Sequence, residues 1–414
     1  KSLELKPDNP DALMNLGGIY KQLGNLDQAL ASTLKSLELN PDNPTAHMNL
    51  GGIYKELGNL DQALACTFKS LELKPDNPTA HMNLGGIYKE LGQLDQALAA
   101  TLKSLELKPD NPDAHMNLGS IYQELGNLDQ AFASYSSALK LKPNCPKSNW
   151  NLSLTMLLTG DYKNGWEKYE YRFGSKQVSL FQVPYIKEWS GENFEEIKQL
   201  LIVGEQGIGD MLHFMRYIKP LRSKGISVKF HAQTKLHSLI KASGIDASPL
   251  NDKEASQITE GQWVALLSIP RILGVCPDNP IITEPCIKGK DKLIEKWESA
   301  FSDKKQPIIG INWKGNRKDI IKNTRDIPIE HFAEMNNKNE ATFVSLQRSS
   351  QSSELNEIWS TQNKLGLQDE ISKIADSDDP EDFLEYASIV ANCNLVITTD
   401  TTVAHLAAGM GVPT

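Results

Sequence analysis

Apolar side chains recur at helical spacing through the first third of the chain, and the same arrangement returns every 34 residues. One unit, PTAHMNLGGIYKELGNLDQALACTFKSLELK, carries two such stretches on either side of a Gly-Asn-Leu-Asp turn, so each unit predicts a pair of amphipathic helices. Pro10, Pro44, Pro78, Pro112 and Pro146 mark the period, and Gly24, Gly58, Gly92 and Gly126 mark the turns. Small residues stand where paired helices must approach closely: Gly17, Gly51, Gly85 and Gly119 on the first helix, Ala29, Ala63, Ala97 and Ala131 on the second. Pro7, Pro41, Pro75, Pro109 and Pro143 follow the second helices and stop them, because proline has no amide to continue a helix. A fifth, degenerate unit keeps Leu152 and Gly160 in register but exchanges its later half for Trp166, Tyr169, Tyr171 and Phe173. These aromatics are expected to close the stack and to dock it on the next domain.

At nearly every signature position this array resembles the tetratricopeptide-repeat family, and the resemblance implies an α-solenoid over residues 1–176 whose first helices line an inner groove. Asn15, Asn49, Asn83, Asn117 and Asn151 take the same place on successive first helices. An amide both donates and accepts, so such a ladder could hold the backbone of an extended peptide, similar to the asparagine ladder of the O-linked N-acetylglucosamine transferases. The alternative is that each asparagine bonds a neighbouring turn. Met14, Met48, Met82 and Met116 and the series His47, His81, His115 read as groove-facing or packing residues, since the histidines stand a repeat apart and make a poor metal site.

Beyond residue 176 the period vanishes, and short β-branched runs alternate with helical stretches, the pattern of α/β folds. The texture divides into halves at 177–300 and 301–414. In the first, QLLIVGEQGIGDMLHFMRYIKPLRSKG takes a strand at Leu200–Val203 into a glycine-bearing loop and a helix beginning near Asp210. An acidic residue there would repel a pyrophosphate and the glycine spacing is not GxGxxG, which argues against a nucleotide-dependent dehydrogenase. Asp210 suits either of two tasks, capping the helix or accepting a proton from a hydroxyl. In the second half PIIGINWKGN ends a buried strand in Asn312, Lys314, Gly315 and Asn316, at the carboxyl end where open α/β sheets bind ligands. NLVITTDTTVAHLAAGMGVP then delivers Thr399, Asp400, Thr401 and Thr402 to the start of a helix containing Ala404, His405, Ala407 and Ala408. Hydroxyls, amides and a positive helix end together suit a diphosphate; ordinary capping is the other reading.

Taken together, GEQGIGDMLHF, WKGN with TRDIP, VSLQ and TTDTTVAHLAAGMGVP resemble the family 9 glycosyltransferases, the heptosyltransferase-like enzymes of the GT-B fold, over residues 200–414. That resemblance implies two Rossmann-like halves with a nucleotide-diphosphate sugar as co-substrate and neither metal nor cofactor. It assigns Asp210 as catalytic base and Gly207, Gly209 and His213 to the acceptor loop. Lys314, Asn316, Arg325, Gln347, Asp400, Thr401, Thr402 and His405 would bind the donor, with Arg325 facing its phosphates. Thr402 stands where heptosyltransferases commonly carry glycine, which makes heptose a poor choice of sugar. The remaining strands of the second half are expected beyond Thr414, and the start of the array before Lys1.

Bulk composition narrows the partners. A 40% hydrophobic and 23% charged make-up is that of globular chains, and no apolar run is long enough for a bilayer. The net charge of -9, with lysines and arginines dispersed, leaves no footprint for nucleic acid. Five cysteines without a CxxC pair fit reduced thiols and a cytoplasmic protein. The expected function is transfer of a sugar from a nucleotide-diphosphate donor to an acceptor hydroxyl, with the array binding a protein or peptide. The alternative is an interaction scaffold whose transferase-like part is inactive.

Overall fold

The computed structural model describes residues 8–174, 185–205, 207–281, 284–315, 326–336, 340–347 and 379–414. The chain divides into two compact units, Lys1–Ser175 and Lys176–Thr414.

The first unit is a row of antiparallel helix pairs: α1 (Pro10–Gln22) with α2 (Leu26–Leu39), α3 (Pro44–Glu56) with α4 (Leu60–Leu73), α5 (Pro78–Glu90) with α6 (Leu94–Leu107), and α7 (Pro112–Glu124) with α8 (Leu128–Leu141). A last pair, α9 (Pro146–Leu158) and α10 (Tyr162–Tyr169), is followed by a 3-10 turn over Glu170–Gly174. The first helices of the four regular pairs start alike. Asn9, Asn43, Asn77 and Asn111 each accept from the two backbone amides that follow the proline at the first helical position. Such a cap contributes ~1 kcal/mol. Each turn glycine takes positive φ, from 76° at Gly126 to 89° at Gly160, a conformation that a side chain would resist.

Packing within a pair is close because one helix offers no side chain. A Cβ on Gly17, Gly51 or Gly85 would overlap the hydroxyl of Thr33, Thr67 or Thr101 and stand 3.1 Å from the carbonyl oxygen of Ala29, Ala63 or Ala97. Those three alanines and three threonines are fully buried. Ser36, Ser70 and Ser104 tie each second helix back to the carbonyl of Pro10, Pro44 and Pro78, at 2.7 Å in every case. The fourth pair departs from the rule: Tyr135 stands where the others have threonine, and its ring lies 2.7 Å from the Cβ position of Gly119. At the end of the row the aromatics close around one buried cation. Arg172 lies over the rings of Tyr169 (4.9 Å) and Phe173 (4.0 Å) and pairs with Glu170 at 2.8 Å.

The second unit holds two parallel sheets. One has the strand order β1-β4-β2-β3, made of β1 (Lys187–Glu188), β2 (Gln199–Val203), β3 (Ser227–His231) and β4 (Gln262–Ala265). The other runs β6-β5-β7, made of β5 (Ile308–Asn312), β6 (Thr342–Ser345) and β7 (Leu395–Thr398). Helices connect the strands: α11 (Ile208–Phe214), α12 (Ile218–Ser223), α13 (His237–Ala242), α14 (Asp252–Ser256), α15 (Ile269–Leu273), α16 (Asp291–Phe301), α17 (Ile329–Asn336), α18 (Pro380–Ala391) and α19 (Thr402–Met410). Strand β2 is central and buried along Leu200–Val203, which is why its sequence is continuously apolar rather than alternating.

The two sheets belong to one body. Helix α18 packs on α13 and α16, and α19 packs on α11. The amides of Cys286 and Ile287 both donate to the Gly409 carbonyl at 2.9 Å, fastening the connection between the sheets to the end of α19. Beyond β7, the Val396 amide donates to the carbonyl of Pro413 at 2.8 Å, so the final residues run beside the outer edge of that strand. Among the described residues no helix is long and apolar enough to cross a membrane.

Candidate functional site

The site begins where β2 ends. Gly204 has no room for a side chain, since a Cβ there would meet Met211 Cε at 2.6 Å and the His231 carbonyl oxygen at 2.9 Å. Glu205 is fully buried and accepts from the Leu267 amide at 2.9 Å, which pins the loop to the segment after β4. Gly207 then forms the N-cap of α11, placing Asp210 in its first turn. Burial raises the Asp210 pKa; His405 and the Gly207 amide pull it back, while the Glu205 and Asp400 carboxylates add to the rise. A carboxylate so placed is a stronger base than one in water.

The opposing wall comes from β5 and β7. Asn312, the polar end of β5, donates to the hydroxyls of Thr398 (3.1 Å) and Thr401 (2.9 Å). Thr401 is the N-cap of α19, yet its hydroxyl serves this network and caps no helix amide. The first turn of α19 therefore keeps its positive end without a side-chain cap. One turn on, His405 Nε2 lies 3.8 Å from Asp400 Oδ1. The His405 ring is 5.3 Å from that of His213 at an interplanar angle of 66°. A Cβ on Gly209 would stand 2.8 Å from His405 Cδ2, so the missing side chain of one helix is the seat for the histidine of the other.

Of the residues expected from sequence, Asp210, Gly209, His213, Thr402, His405 and Asp400 are brought together at the contact of α11 with α19. Lys314 and Gln347 meet elsewhere, in the turn after β5. Gln347 is buried, accepts from the amides of Trp313 (3.2 Å) and Lys314 (2.9 Å), and donates to the Lys314 carbonyl at 3.2 Å. Its amide holds that turn in shape. Asn316 and Arg325 lie outside the described residues. Two contributors went unforeseen. Arg216 donates to the His213 carbonyl at 2.6 Å and lies 3.2 Å from His213 Nδ1. Glu205 looks like any loop acid until its burial is seen; Asn312, by contrast, was signalled by a polar residue closing an apolar strand. A surface hollow of about 480 Å³ lies at the opposite ends of the strands, lined by Glu196, Lys198, Ser227 and Gln262, and touches none of these groups.

In the first unit the asparagine column runs along the row of first helices. Asn15 is exposed, and Asn49, Asn83, Asn117 and Asn151 are half-buried. Asn49 and Asn83 reach over Gly18 and Gly52 of the preceding pair, their Nδ2 atoms 3.8 Å from the Cβ positions. The column is not uniform. Behind its last part the Tyr135 hydroxyl donates to Gln123 Oε1 at 3.0 Å, where the other pairs have a threonine. Beside the column, Lys21–Glu56 (3.4 Å), Lys55–Glu90 (3.2 Å) and Lys89–Glu124 (3.4 Å) bridge successive first helices. Burial lowers the Lys89 pKa, and Glu124 opposes the shift. His47, His81 and His115 contact the carbonyls of Pro41, Pro75 and Pro109 at 2.8 to 2.9 Å, which makes them packing residues.

The TPR repeat family matches residues 17–58, 51–92 and 85–126, and the tetratricopeptide repeat family matches residues 112–145. The amino-terminal helix pairs are thus tetratricopeptide repeats, a module of protein–protein interaction. Among solved structures the chain is similar to a thermophilic TPR protein of Thermus thermophilus, at 24% identity and a TM-score of 0.37 over 41% of this chain and 92% of that one. PilF of Pseudomonas aeruginosa is 20% identical, with a TM-score of 0.39 over 52% of this chain and 86% of that one. YrrB, described as a TPR protein with an unusual peptide-binding site, is 21% identical, with a TM-score of 0.32 over 42% and 89%. No curated protein matches the chain.

Proposed function

We propose that the second unit transfers a sugar from a nucleoside-diphosphate donor to an acceptor hydroxyl, and that the repeats bind the protein or peptide that is its acceptor or partner. The reading is carried by one observation: Asp210, following β2, faces His405 and the uncapped start of α19, following β7. Both loops leave the carboxyl ends of parallel strands, where α/β folds bind their ligands. In this reading the amides of α19, the hydroxyl of Thr402 and the His405 ring take the charge of the leaving diphosphate. Asp210 removes the proton from the acceptor hydroxyl as it attacks the anomeric carbon. Its pKa, raised by burial, makes it an effective base, and His405 opposes part of that rise. Lys314, Asn316 and Arg325 would add cationic and polar contacts from the segment after β5, on the strength of the family 9 resemblance. All five cysteines are free thiols, in keeping with a cytoplasmic setting.

Calorimetry with UDP, GDP and ADP and their sugars tests the donor half of this proposal. Binding of one nucleotide that is weakened but still measurable in His405→Ala, together with sugar transfer that is lost in Asp210→Asn while binding persists, is the expected outcome. An array that captures a partner while the second unit binds no nucleotide would favour the scaffold reading, which the repeats alone support.

A further inference from the structure

We propose that His213 is a positioning residue acting through His405: its ring edge fixes the orientation of the His405 imidazole beside Asp210 and Asp400, with Arg216 as the lock behind it. His213 lies three residues after Asp210 on α11, so both project from the same face of that helix. Its ring makes T-shaped contacts with His405, at 5.3 Å between centroids, and with Phe214, at 4.8 Å. The His405 ring is thereby bounded by His213 on one side and by the bare backbone of Gly209, 2.8 Å from the Cβ position, on another. Removing the His213 ring would leave His405 free to turn away from Asp400.

Arg216 sets the tautomer of His213. A guanidinium only donates, so its approach to Nδ1 at 3.2 Å requires that nitrogen to be unprotonated and puts the single ring proton on Nε2. Burial, then the Arg216 charge, then His405 push the His213 pKa down to about 4. The titratable and charged groups that act on the ring are Arg216 from its own segment and His405 from α19, and His405 in turn faces Asp210 and Asp400. With its Nδ1 facing the guanidinium, His213 stands as a neutral ring beside His405, which faces Asp400 and the helix start.

The consequence for ligand binding rests on the transferase reading; the arrangement of the two rings does not, and the experiment separates them. Long-range 1H–15N NMR on the intact chain should show His213 neutral and Nε2-protonated from about pH 5 to about pH 8, and His213→Ala should change the His405 ring signals. In calorimetry with UDP, GDP or ADP, His213→Ala should weaken binding roughly tenfold, His213→Phe should restore it to within about threefold, and His213→Ala should have no further effect in a His405→Ala background. Ordinary titration of His213 near neutrality, or His405 signals unchanged in His213→Ala, would overturn the proposal. So would equal losses in the two backgrounds, because His213 would then not act through His405. If the unaltered chain binds none of the three nucleotides, the transferase reading fails and the NMR comparison alone decides the role of His213.

Discussion

Gly209→Ala is the sharpest perturbation of the second unit, because the structure fixes both its cost and its partner. The added methyl would lie 2.8 Å from His405 Cδ2, 3.5 Å from Nε2 and 3.6 Å from Thr402 Cα. Carbon atoms rest about 3.5–4.0 Å apart, so the ring or its helix must retreat by roughly 0.7 Å or more. Overpacking of this kind costs ~1–3 kcal/mol. Against it stands the helix preference of alanine over glycine, up to about 1 kcal/mol and less in a first turn. The net expectation is a loss of about 1–2 kcal/mol, read as a lower denaturant midpoint with local loss of hydrogen-exchange protection in α11 and α19. In a His405→Ala background the obstacle is gone, and the same substitution should become neutral or stabilising, a coupling of ~1–3 kcal/mol between the two sites. Nucleoside-diphosphate affinity should fall about tenfold or more in Gly209→Ala, since displacements near 1 Å at a site can cost up to about a hundredfold. Equal effects in the two backgrounds would refute the seat of His405 against Gly209, whatever the ligand data show.

Asp210→Asn should stabilise the second unit at neutral pH while abolishing transfer. The folded pKa of Asp210 is raised above the value of 3.8, so the folded state holds the proton more tightly and stability falls as pH rises from 3.8 through the raised value. The substitution should remove that fall, which unfolding midpoints measured from acid to neutral pH would reveal. In the array, Gly85→Ala forces a methyl onto the Thr101 hydroxyl and should cost ~2 kcal/mol. Thr101→Ala removes a buried hydroxyl without a partner among the described residues, so the double variant should be more stable than Gly85→Ala alone in chemical denaturation. Tyr135→Phe should cost about 1 kcal/mol by the same measurement, through loss of the bond to Gln123.

The difference between the units in what their sequences disclose has a physical origin. In the array each close approach is written several times: Gly17, Gly51 and Gly85 face Thr33, Thr67 and Thr101 in three successive pairs, so coincidence drops out and the helix pairing can be read directly. In the fourth pair the same glycine column hides a difference, since Tyr135 fills the space by a different chemistry and turns its hydroxyl to Gln123. In the second unit β2 to β7 were legible from their β-branched and apolar runs, whereas the charged, exposed β1 carries no such run, and the loops after β2 and β7 were legible from their glycines and hydroxyls. Which loops face one another was not, since that depends on how α11 and α19 pack, and each contact there occurs once. Gln347 shows the same limit from the other side, a polar residue at a strand end whose amide turned out to hold a backbone turn. One signal was nevertheless present. Gly209 sits inside a helix, where glycine is disfavoured by up to about 1 kcal/mol, and a residue that breaks the local rule there usually does so because something must come close. Gly204 and Gly207 beside it sit outside any helix, so in sequence the three read as one glycine-rich loop. Only the helix boundary at Ile208 separates the glycine that seats His405 from the two that shape the turn.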